Sequence, residues 1–498
     1  MSITGISSQT ALAVQAMVDL RRQLDDLQRQ LGTGQKSDTY AGVGLDRGLA
    51  VGLRQHLSAL SAFDDAITNV GVRINLAQST LGSISDIGHT MKSTALQTSS
   101  VDSSGSTIAQ KTAFSQLSQI LDLLNAQAGD RYLFSGRGAD QPAVETLDHI
   151  LNGDGTRAGL KQLIAERNLA DLGTSGLGRL NIASLVPGTV TVDEDAVSPF
   201  GFKLAGVSST LTGATVTGPA GVPAGISVSL ASNPNNGENI QFRFTLPDGS
   251  SENITLTATT TVPPGINQFA IGPNATATAG NLLTALTAAV SKLASTSLAA
   301  ASAMAASDNF FNTNSTTPPL RVNGPPFDTA TSLVAGTPAD TVFWYTGEDG
   351  PDPARGTATA QVDPSITVSY GVRANEQGIR WVLQNVAALA AVTYSPTDPN
   401  ATARSVALGQ RVATALDIPP GTQKVEDIEA ELAGAQTTLA SAGDRHKQTK
   451  NTLADMLQQI EGIPTEQVAA QILALQTRLQ ASMQATSLLY RTSLVNYI

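Results

Sequence analysis

The stretch MVDLRRQLDDLQRQL, residues 17–31, carries apolar side chains at alternating intervals of three and four residues. These apolar positions are Met17, Leu20, Leu24, Leu27 and Leu31. The spacing is that of a heptad seam, in which one helix buries a narrow stripe against another helix. Gly32 and Gly34 end the pattern. We therefore predict an amphipathic helix up to residue 31 and a loop over residues 32–48.

The heptad spacing resumes after this loop and continues for much longer. It begins near Gly48 and ends at about Leu96, with Phe63, Ile67, Val70, Ile74, Ala77, Leu81 and Ile84 on one stripe. Roughly 45 residues at about 1.5 Å per residue would span roughly 70 Å. Residues 97–107 form a predicted turn. A third predicted helix follows, with Phe114, Leu117, Leu121, Leu124 and Ala128 on its apolar stripe and Gly129 at its end.

The C-terminal part of the chain mirrors this organisation. One stripe contains Val425, Ile428, Leu432, Ala435 and Leu439, and Leu453, Leu457 and Ile460 continue it. Gly462 and Pro464 break this helix. A last helix is predicted from about Thr465, with Val468, Ile472, Leu475 and Leu479 on its apolar side. The chain then ends in an apolar patch that includes Leu488, Leu489, Leu494 and Ile498.

The middle of the chain, residues 141–375, has a different character, because Gly, Pro, Thr and Ser become frequent and heptads disappear. Residues 238–259 alternate apolar and polar side chains around Pro247–Asp248–Gly249, which predicts a β-hairpin. Residues 341–345 and 365–372 are further candidate strands. Residues 157–171 and 279–306 are predicted helices. We interpret this region as one or two inserted α+β domains.

These patterns predict an α+β fold with a long antiparallel coiled-coil stalk, formed by both termini, and an inserted β-rich outer region. The predicted division is 1–47 and 463–498 for an inner helical domain, 48–140 and 376–462 for the stalk, and 141–375 for the surface domains. The predicted stalk core is Phe63, Ile67, Val70, Ile74, Leu81, Leu117, Leu121, Leu124, Leu432, Leu439, Leu453 and Leu457.

Composition argues against several classes of function. The net charge of −11 disfavours nucleic-acid binding, which needs clustered Lys and Arg. The chain has no Cys and therefore no disulfide or thiolate site. Its N-terminus lacks the basic and apolar regions of a general secretory signal, and no apolar run is long enough to predict membrane insertion. The 4 histidines show no metal-ligand spacing. We therefore expect no catalytic, cofactor or metal site, and no enzymatic activity.

Amphipathic helices at both ends of a chain need partners for their apolar stripes. Two such helices can pair and bury one stripe, at about 1.5–3 kcal/mol for each Leu or Ile. Any remaining apolar face then requires further copies of the chain, and a heterologous contact that does not close builds a helical filament. The alternative interpretation of the same pattern is an ordinary intramolecular helix bundle.

Four segments carry a resemblance to a known family. Residues 28–87, with NVGVRINLAQSTLGSI in the second long helix, resemble the N-terminal domain of bacterial flagellins and of flagellar hook–filament junction proteins. Residues 129–136, GDRYLFSG, resemble the block that closes the third helix in this superfamily. Residues 475–498 resemble its terminal helix, and residues 370–383, YGVRANEQGIRWVL, resemble a re-entry segment of alphaproteobacterial members. They lie in both the N-terminal and the C-terminal part of the chain, in the same order as in the family.

The resemblance implies a structural subunit of the extracellular flagellar filament. The paired terminal helices would line an inner tube, the helices at about 48–130 and 424–461 would form its outer wall, and the middle would be displayed. Implied partners are copies of the same chain, an export chaperone, the type III export apparatus, and the junction and cap proteins. The expected subunit-contact residues are Leu20, Leu24, Leu27, Leu31, Leu475, Leu479, Leu488, Leu489 and Leu494.

Two alternatives remain open at this point. The loop KSDTYAGVGLD, residues 36–46, departs from the DDAAGL pattern of enterobacterial flagellins, and with the terminal NYI it favours the junction protein. An adhesin function of the middle domain is compatible with either role.

Overall fold

The computed structural model describes residues 3–97, 100–314 and 316–495, with the side chains of residues 11–488 in those ranges. The fold is of the mixed α+β class. Its α-helices are α1 (Ile3–Thr33), α2 (Arg47–Ala95), α3 (Ile108–Leu124), α4 (Leu147–Asn152), α5 (Leu160–Leu172), α6 (Ala275–Leu293), α7 (Ala299–Phe311), α8 (Gln377–Ala391), α9 (Ala401–Ala415), α10 (Val425–Glu461) and α11 (Thr465–Val495).

The strands lie mainly between α5 and α6, with short pairs elsewhere. They are β1 (Gln127–Ala128), β2 (Arg131–Tyr132), β3 (Leu180–Ala183), β4 (Thr189–Glu194), β5 (Lys203–Ser209), β6 (Ala214–Ala220), β7 (Gly225–Leu230), β8 (Asn239–Thr245), β9 (Ser251–Thr259), β10 (Gln268–Ala270), β11 (Leu320–Val322), β12 (Leu333–Ala335), β13 (Thr359–Asp363) and β14 (Ile366–Ser369).

The chain divides into two compact units. Unit 1 contains Met1–Val70, Ala360–Val368 and Thr437–Ile498, and unit 2 contains Gly71–Thr359 and Ser369–Gln436. The first part of α2 and the last part of α10 therefore belong to unit 1, and the remainders belong to unit 2. The predicted five-part division along the chain stays a prediction.

Unit 1 brings the two ends of the chain together. Helices α1 and α11 contact each other, and an antiparallel bridge joins Gln35 to Gly462 just beyond the end of α1 and just before the start of α11. The two helices consequently run antiparallel. Strands β13 and β14 form a two-stranded sheet, and its Val362 and Val368 are buried.

Unit 2 contains two four-stranded sheets around one core. One sheet has the order β3-β4-β7-β6, and the other has the order β10-β9-β8-β5. Alternation along β8 buries Ile240, Phe242 and Phe244, as expected for a strand with one face on a core. Helix α6 completes this core with Leu282, Leu286 and Val290.

The helices of unit 2 form a second packed region. Helix α8 contacts α3, α7 and α9. A capping box begins α3: Thr107 Oγ1 accepts from the Gln110 N–H at 3.2 Å, and Gln110 Oε1 accepts from the Thr107 N–H at 2.9 Å. This reciprocal pair satisfies backbone donors that a helix start leaves unpaired.

The predicted β-hairpin at 238–259 is confirmed. Strands β8 and β9 pair antiparallel from Asn239↔Thr257 to Thr245↔Ser251. Asp248 Oδ1 accepts from the Ser250 N–H at 3.0 Å in the turn, and Gly249 has a φ of 79°, which favours glycine. The predicted helices near 157–171 and 279–306 are also present, although a π-helical turn at Ala294–Leu298 separates α6 from α7.

Two local predictions are wrong. Residues 341–345 do not form a strand, because Thr341 and Tyr345 make isolated bridges with two different segments, at Ala158 and Val144. The third helix does not extend to Gly129. It ends at Leu124, and Gly129, at φ 71°, lies in the turn between the short strands β1 and β2.

By length and composition, the continuous helical stretch Ala275–Phe311 could cross a membrane, with a mean hydropathy of 1.3 over its most apolar 18-residue window. The same stretch supplies buried side chains to the core of unit 2, including Leu286, Val290 and Phe310. Hydropathy of this kind is also typical of a core helix.

Candidate functional site

The candidate site is the α1–α11 helix pair of unit 1, together with the segments that hold its two chain ends. Backbone hydrogen bonds close the pair at one end: the Lys36 N–H donates to Glu461 O at 2.7 Å, and the Ile463 N–H donates to Gly34 O at 3.1 Å. Lys36 Nζ also donates to Ile460 O at 2.7 Å. These bonds fix the register of α1 against α11.

An ion pair reinforces the closed end of the pair. Arg54 NH2 lies 2.6 Å from Glu461 Oε2, and Glu461 is buried. Arg54 NH1 donates to the Tyr40 hydroxyl at 3.1 Å. Hydrogen bonds to Glu461 and Tyr40 raise the pKa of Arg54. The short 3-10 helix Tyr40–Asp46 is therefore tied to α2 and to the end of α10 within unit 1.

The predicted contact residues fall into three groups by burial. On α1, Leu20, Leu24 and Leu27 are half-buried and Leu31 is exposed. On α11, Leu475 is buried, Leu479 is half-buried and Leu488 is exposed. The side chains of Leu489 and Leu494 lie outside the described residues.

Four apolar side chains are exposed at the end of the pair remote from the closed end, and Leu473, nearer the closed end on α11, is also 65% exposed. On α1, Leu12 is 70% exposed and Val14 is 53% exposed. On α11, Met483 is 51% exposed and Leu488 is 61% exposed. Because the helices run antiparallel, these four side chains lie toward the same end. We call them the apolar end of the pair; such a concentration marks an interaction surface more often than an isolated exposed leucine does.

The predicted stalk-core residues divide between the two units. In unit 1, Val70 and Leu439 are buried, and Phe63, Ile67, Leu453 and Leu457 are half-buried. In unit 2, the side chains are fully enclosed; these are Ile74, Leu81, Leu117, Leu121, Leu124 and Leu432. Among the predicted stalk-core residues, those in unit 2 are thus on the whole more buried than those in unit 1.

His446 is buried on α10 at the centre of an ionic cluster in unit 1. Its Nδ1 atom lies 2.9 Å from Asp64 Oδ1 on α2, and its Nε2 atom lies 3.5 Å from Asp363 Oδ2 on β13. Lys450 Nζ donates to Asp64 Oδ2 at 2.6 Å. Arg445 NH2 lies 3.5 Å from Asp363 Oδ2. The cluster therefore connects α2, α10 and β13 within unit 1.

The hydrogen-bonding partners in this cluster lower the pKa of both of its carboxyl groups. Burial opposes ionisation of Asp64, but hydrogen bonds from Lys450 and His446 outweigh it and lower the pKa of Asp64. Burial likewise opposes ionisation of Asp363, and hydrogen bonds from the Ser365 backbone, His446 and Arg445 lower its pKa. Because the acidic oxygens are already engaged by these partners, the cluster is suited to bracing.

The sequence analysis did not single out this cluster. Asp64 lies 382 residues before His446, and Asp363 lies in a third segment of the chain, so spacing could not associate them. One signal was nevertheless present, because His446 lies seven residues after Leu439 and seven before Leu453, in the register of the apolar seam. A titratable residue at a seam position is buried and needs a partner.

Two segments quoted for the family resemblance meet in unit 2. Ser135, in GDRYLFSG, forms an antiparallel bridge with Arg373, in YGVRANEQG. The Ala374 N–H donates to Phe134 O at 2.9 Å, and Phe134 is fully buried. Arg373 NH2 also donates to Glu348 Oε2 at 2.7 Å. The segment that leaves the helices and the segment that returns to them are therefore joined directly.

In the part of the chain that the structure describes, no group of three or more His, Asp or Glu side chains is arranged to hold a metal ion. No protein-family model matches this chain, and no curated protein matches it significantly.

Proposed function

We propose that this chain is a flagellin-type structural subunit, without enzymatic activity, that polymerises outside the cell into the flagellar filament used for swimming. The observation that supports this most directly is the apolar end of the α1–α11 pair, where Leu12, Val14, Met483 and Leu488 are each at least half exposed. The sequence resemblance at both ends of the chain supports it independently.

The proposed driving force is burial of these side chains by neighbouring copies. Burying a large apolar side chain contributes about 1.5–3 kcal/mol, so a few such side chains on each copy favour association. In the proposed filament, the α1–α11 surface of each copy contacts a different surface on the neighbouring copy, rather than the same surface. Such heterologous contacts propagate into a helical polymer.

In this proposal the terminal helices form a coiled-coil stalk whose inner part lines the filament, while residues 141–375 are displayed. The partners are further copies of the chain, an export chaperone, the type III export apparatus, and the junction and cap proteins. Neither nucleic acid nor membrane insertion has a part in it.

Electron microscopy of polymerisation tests the proposal. Purified full-length chain is concentrated in a salting-out buffer with fragmented filament seeds, since excluded salts strengthen apolar burial. We expect filaments of micrometre length. Persistent monomers, or short caps that stop growing, would instead support the hook–filament junction protein, which the loop at residues 36–46 favours.

Charge substitutions in the pair make the test specific. Leu24→Asp and Leu479→Asp place a carboxylate at half-buried positions of α1 and α11, so both should block filament growth. Val262→Asp is the matched control, because Val262 is exposed on a loop of unit 2 and receives the same charge. Growth of either helix variant at the rate of Val262→Asp would rule out the proposed contacts.

A further inference from the structure

A pocket of about 450 Å³ opens on unit 2, between the segment 343–349 and two neighbouring loops. Its volume is in the range typical of small-molecule sites. The described residues that line it are Thr313, Asn314, Pro318, Gly336, Thr337, Pro338, Phe343, Tyr345, Gly347 and Asp349.

The aromatic wall of the pocket follows from alternation along residues 342–345. Val342 and Trp344 are fully buried on one side, and Trp344 Nε1 donates to Phe311 O at 3.0 Å. Phe343 and Tyr345 are half-buried on the other side, where they line the pocket. The Tyr345 hydroxyl donates to Glu348 O at 2.9 Å, which fixes its ring. The Tyr345 side chain is therefore held in place without a ligand.

The polar wall is also fixed by internal hydrogen bonds. Asn314 Oδ1 accepts from the Thr316 N–H at 2.9 Å and from the Thr317 N–H at 2.8 Å. The Thr337 N–H and hydroxyl both donate to the Asp340 carboxylate at 2.8 Å. A site held in this way loses little conformational entropy when it binds a ligand.

The side chains that line the pocket limit the class of ligand that it can bind. Among the described lining residues, the charged side chain is that of Asp349, which is acidic, and none is Lys or Arg. This disfavours binding of phosphate and other anions. Hydroxyl, amide and backbone groups line the pocket together with the aromatic rings, which disfavours a purely apolar ligand. A sugar ring has an apolar face and hydroxyl groups around its edge, and it matches this distribution.

We propose that this pocket binds a neutral saccharide, with the side chains of Phe343 and Tyr345 as the stacking surface and the loops at 313–314 and 336–338 as the polar edge. This inference goes beyond the filament function and holds for the monomer and for the polymer. Aromatic-lined grooves also bind proline-rich peptides, so such a peptide is included in the test.

Saturation-transfer NMR with the full-length chain tests the inference. The probes are neutral disaccharides containing glucose, galactose, mannose or N-acetylglucosamine, together with a proline-rich decapeptide. We expect saturation transfer to at least one disaccharide. Phe343→Leu, which keeps apolar bulk but removes the ring, should weaken that binding about tenfold, and Phe343→Tyr should retain it.

Phe114→Leu is the matched control, because Phe114 is a 47% exposed aromatic side chain on α3, outside the pocket lining. It should leave saccharide binding unchanged. The inference is overturned if no disaccharide gives saturation transfer, if Phe343→Leu and Phe114→Leu have equal effects, or if the decapeptide alone binds. Retained binding by Phe343→Tyr shows that a loss in Phe343→Leu does not reflect misfolding of the segment.

Discussion

His446 illustrates how one side chain can connect distant parts of the chain. It occupies a position in the seam of α10 where the heptad register places an apolar residue, and its neighbours in that register are Leu439 and Leu453. Burial of an unpaired imidazole would cost free energy, and this cost is reduced because Nδ1 of His446 lies at hydrogen-bond distance, 2.9 Å, from Asp64 Oδ1, while Nε2 lies 3.5 Å from Asp363 Oδ2. The sequence could place His446 on the seam, but only the fold brings the two carboxylates to it.

The ionic cluster makes unit 1 sensitive to acid. The pKa of Asp64 and the pKa of Asp363 are both lowered in the folded chain. A lowered carboxyl pKa contributes stability that is present above the unfolded value of about 3.9 and is lost as the pH falls through the folded value. We therefore expect exchange protection of the amides at residues 360–368 to fall as the pH is lowered below about 4.

Asp64→Asn tests the contribution of the cluster at neutral pH. Because Asp64 is partly exposed, we expect its loss to cost about 1 kcal/mol of local stability, measured by hydrogen exchange of residues 360–368. The difference from the wild type should shrink as the pH falls from about 4 through the lowered pKa of Asp64, because the wild-type carboxyl becomes protonated over that range. Asp65→Asn, at the exposed neighbouring position, is the control. Equal exchange rates in the two variants at neutral pH would show that the cluster does not stabilise the β13–β14 sheet.

Element types could be predicted from the sequence where a pattern repeats over many residues. The long helices follow from the spacing of side chains such as Ile74 and Leu81, and the β8–β9 hairpin follows from alternation around Gly249. The strands β3–β7 were not assigned individually, although β4 and β7 alternate polar and buried apolar residues. Alternation alone does not show which strands pair, and β4 pairs with β7 and β5 with β8 across intervening strands. The segment 341–345 alternates like a strand but lacks a continuous neighbour.

Two helical glycines should respond oppositely to the same substitution. A Cβ at Gly409 of α9 would overlap the Ala95 carbonyl oxygen at the end of α2, whereas a Cβ at Gly280 of α6 would meet no atom within 4 Å. Alanine favours a helix over glycine by about 0.5–1 kcal/mol. We expect Gly280→Ala to stabilise by that amount and Gly409→Ala to destabilise by about 1–3 kcal/mol, since overpacking dominates there.

Differential scanning calorimetry of the two glycine variants checks this prediction. The melting temperature should rise in Gly280→Ala and fall in Gly409→Ala relative to the wild type. A rise in both variants would mean that α9 and the end of α2 are not in close contact.

At the scale of the whole molecule, the two units differ in how completely they bury their apolar side chains. Unit 2 encloses Phe242, Phe244 and Leu282 fully, whereas the seam of the α1–α11 pair in unit 1 leaves Leu20, Leu24 and Leu479 half-buried. The heptad pattern predicted where these seams lie. It could not predict how much of each seam the chain covers by itself, because that depends on the number of neighbouring helices.

Limited proteolysis with trypsin can report this difference in burial and its change on assembly. Arg21 on α1, Arg478 on α11 and Arg243 on β8 all have exposed side chains, but cleavage requires local unfolding of the backbone around each site. Strand β8 is hydrogen-bonded to β5 and β9 on its two sides. In the monomer we therefore expect cleavage after Arg21 and Arg478 well before cleavage after Arg243.

In filaments, the cleavage rates at the same sites distinguish polymerisation through the terminal helices from polymerisation through unit 2. If neighbouring copies cover the apolar end of the pair, cleavage after Arg21 and Arg478 should slow by about tenfold or more. A tenfold slowing corresponds to roughly 1.4 kcal/mol of added local stability. The rate after Arg243 should be unchanged, because β8 lies in the displayed region in the proposed filament. Filaments that protect Arg243 and leave Arg21 and Arg478 as labile as in the monomer would place the subunit contacts in unit 2 and contradict the proposed role of α1 and α11.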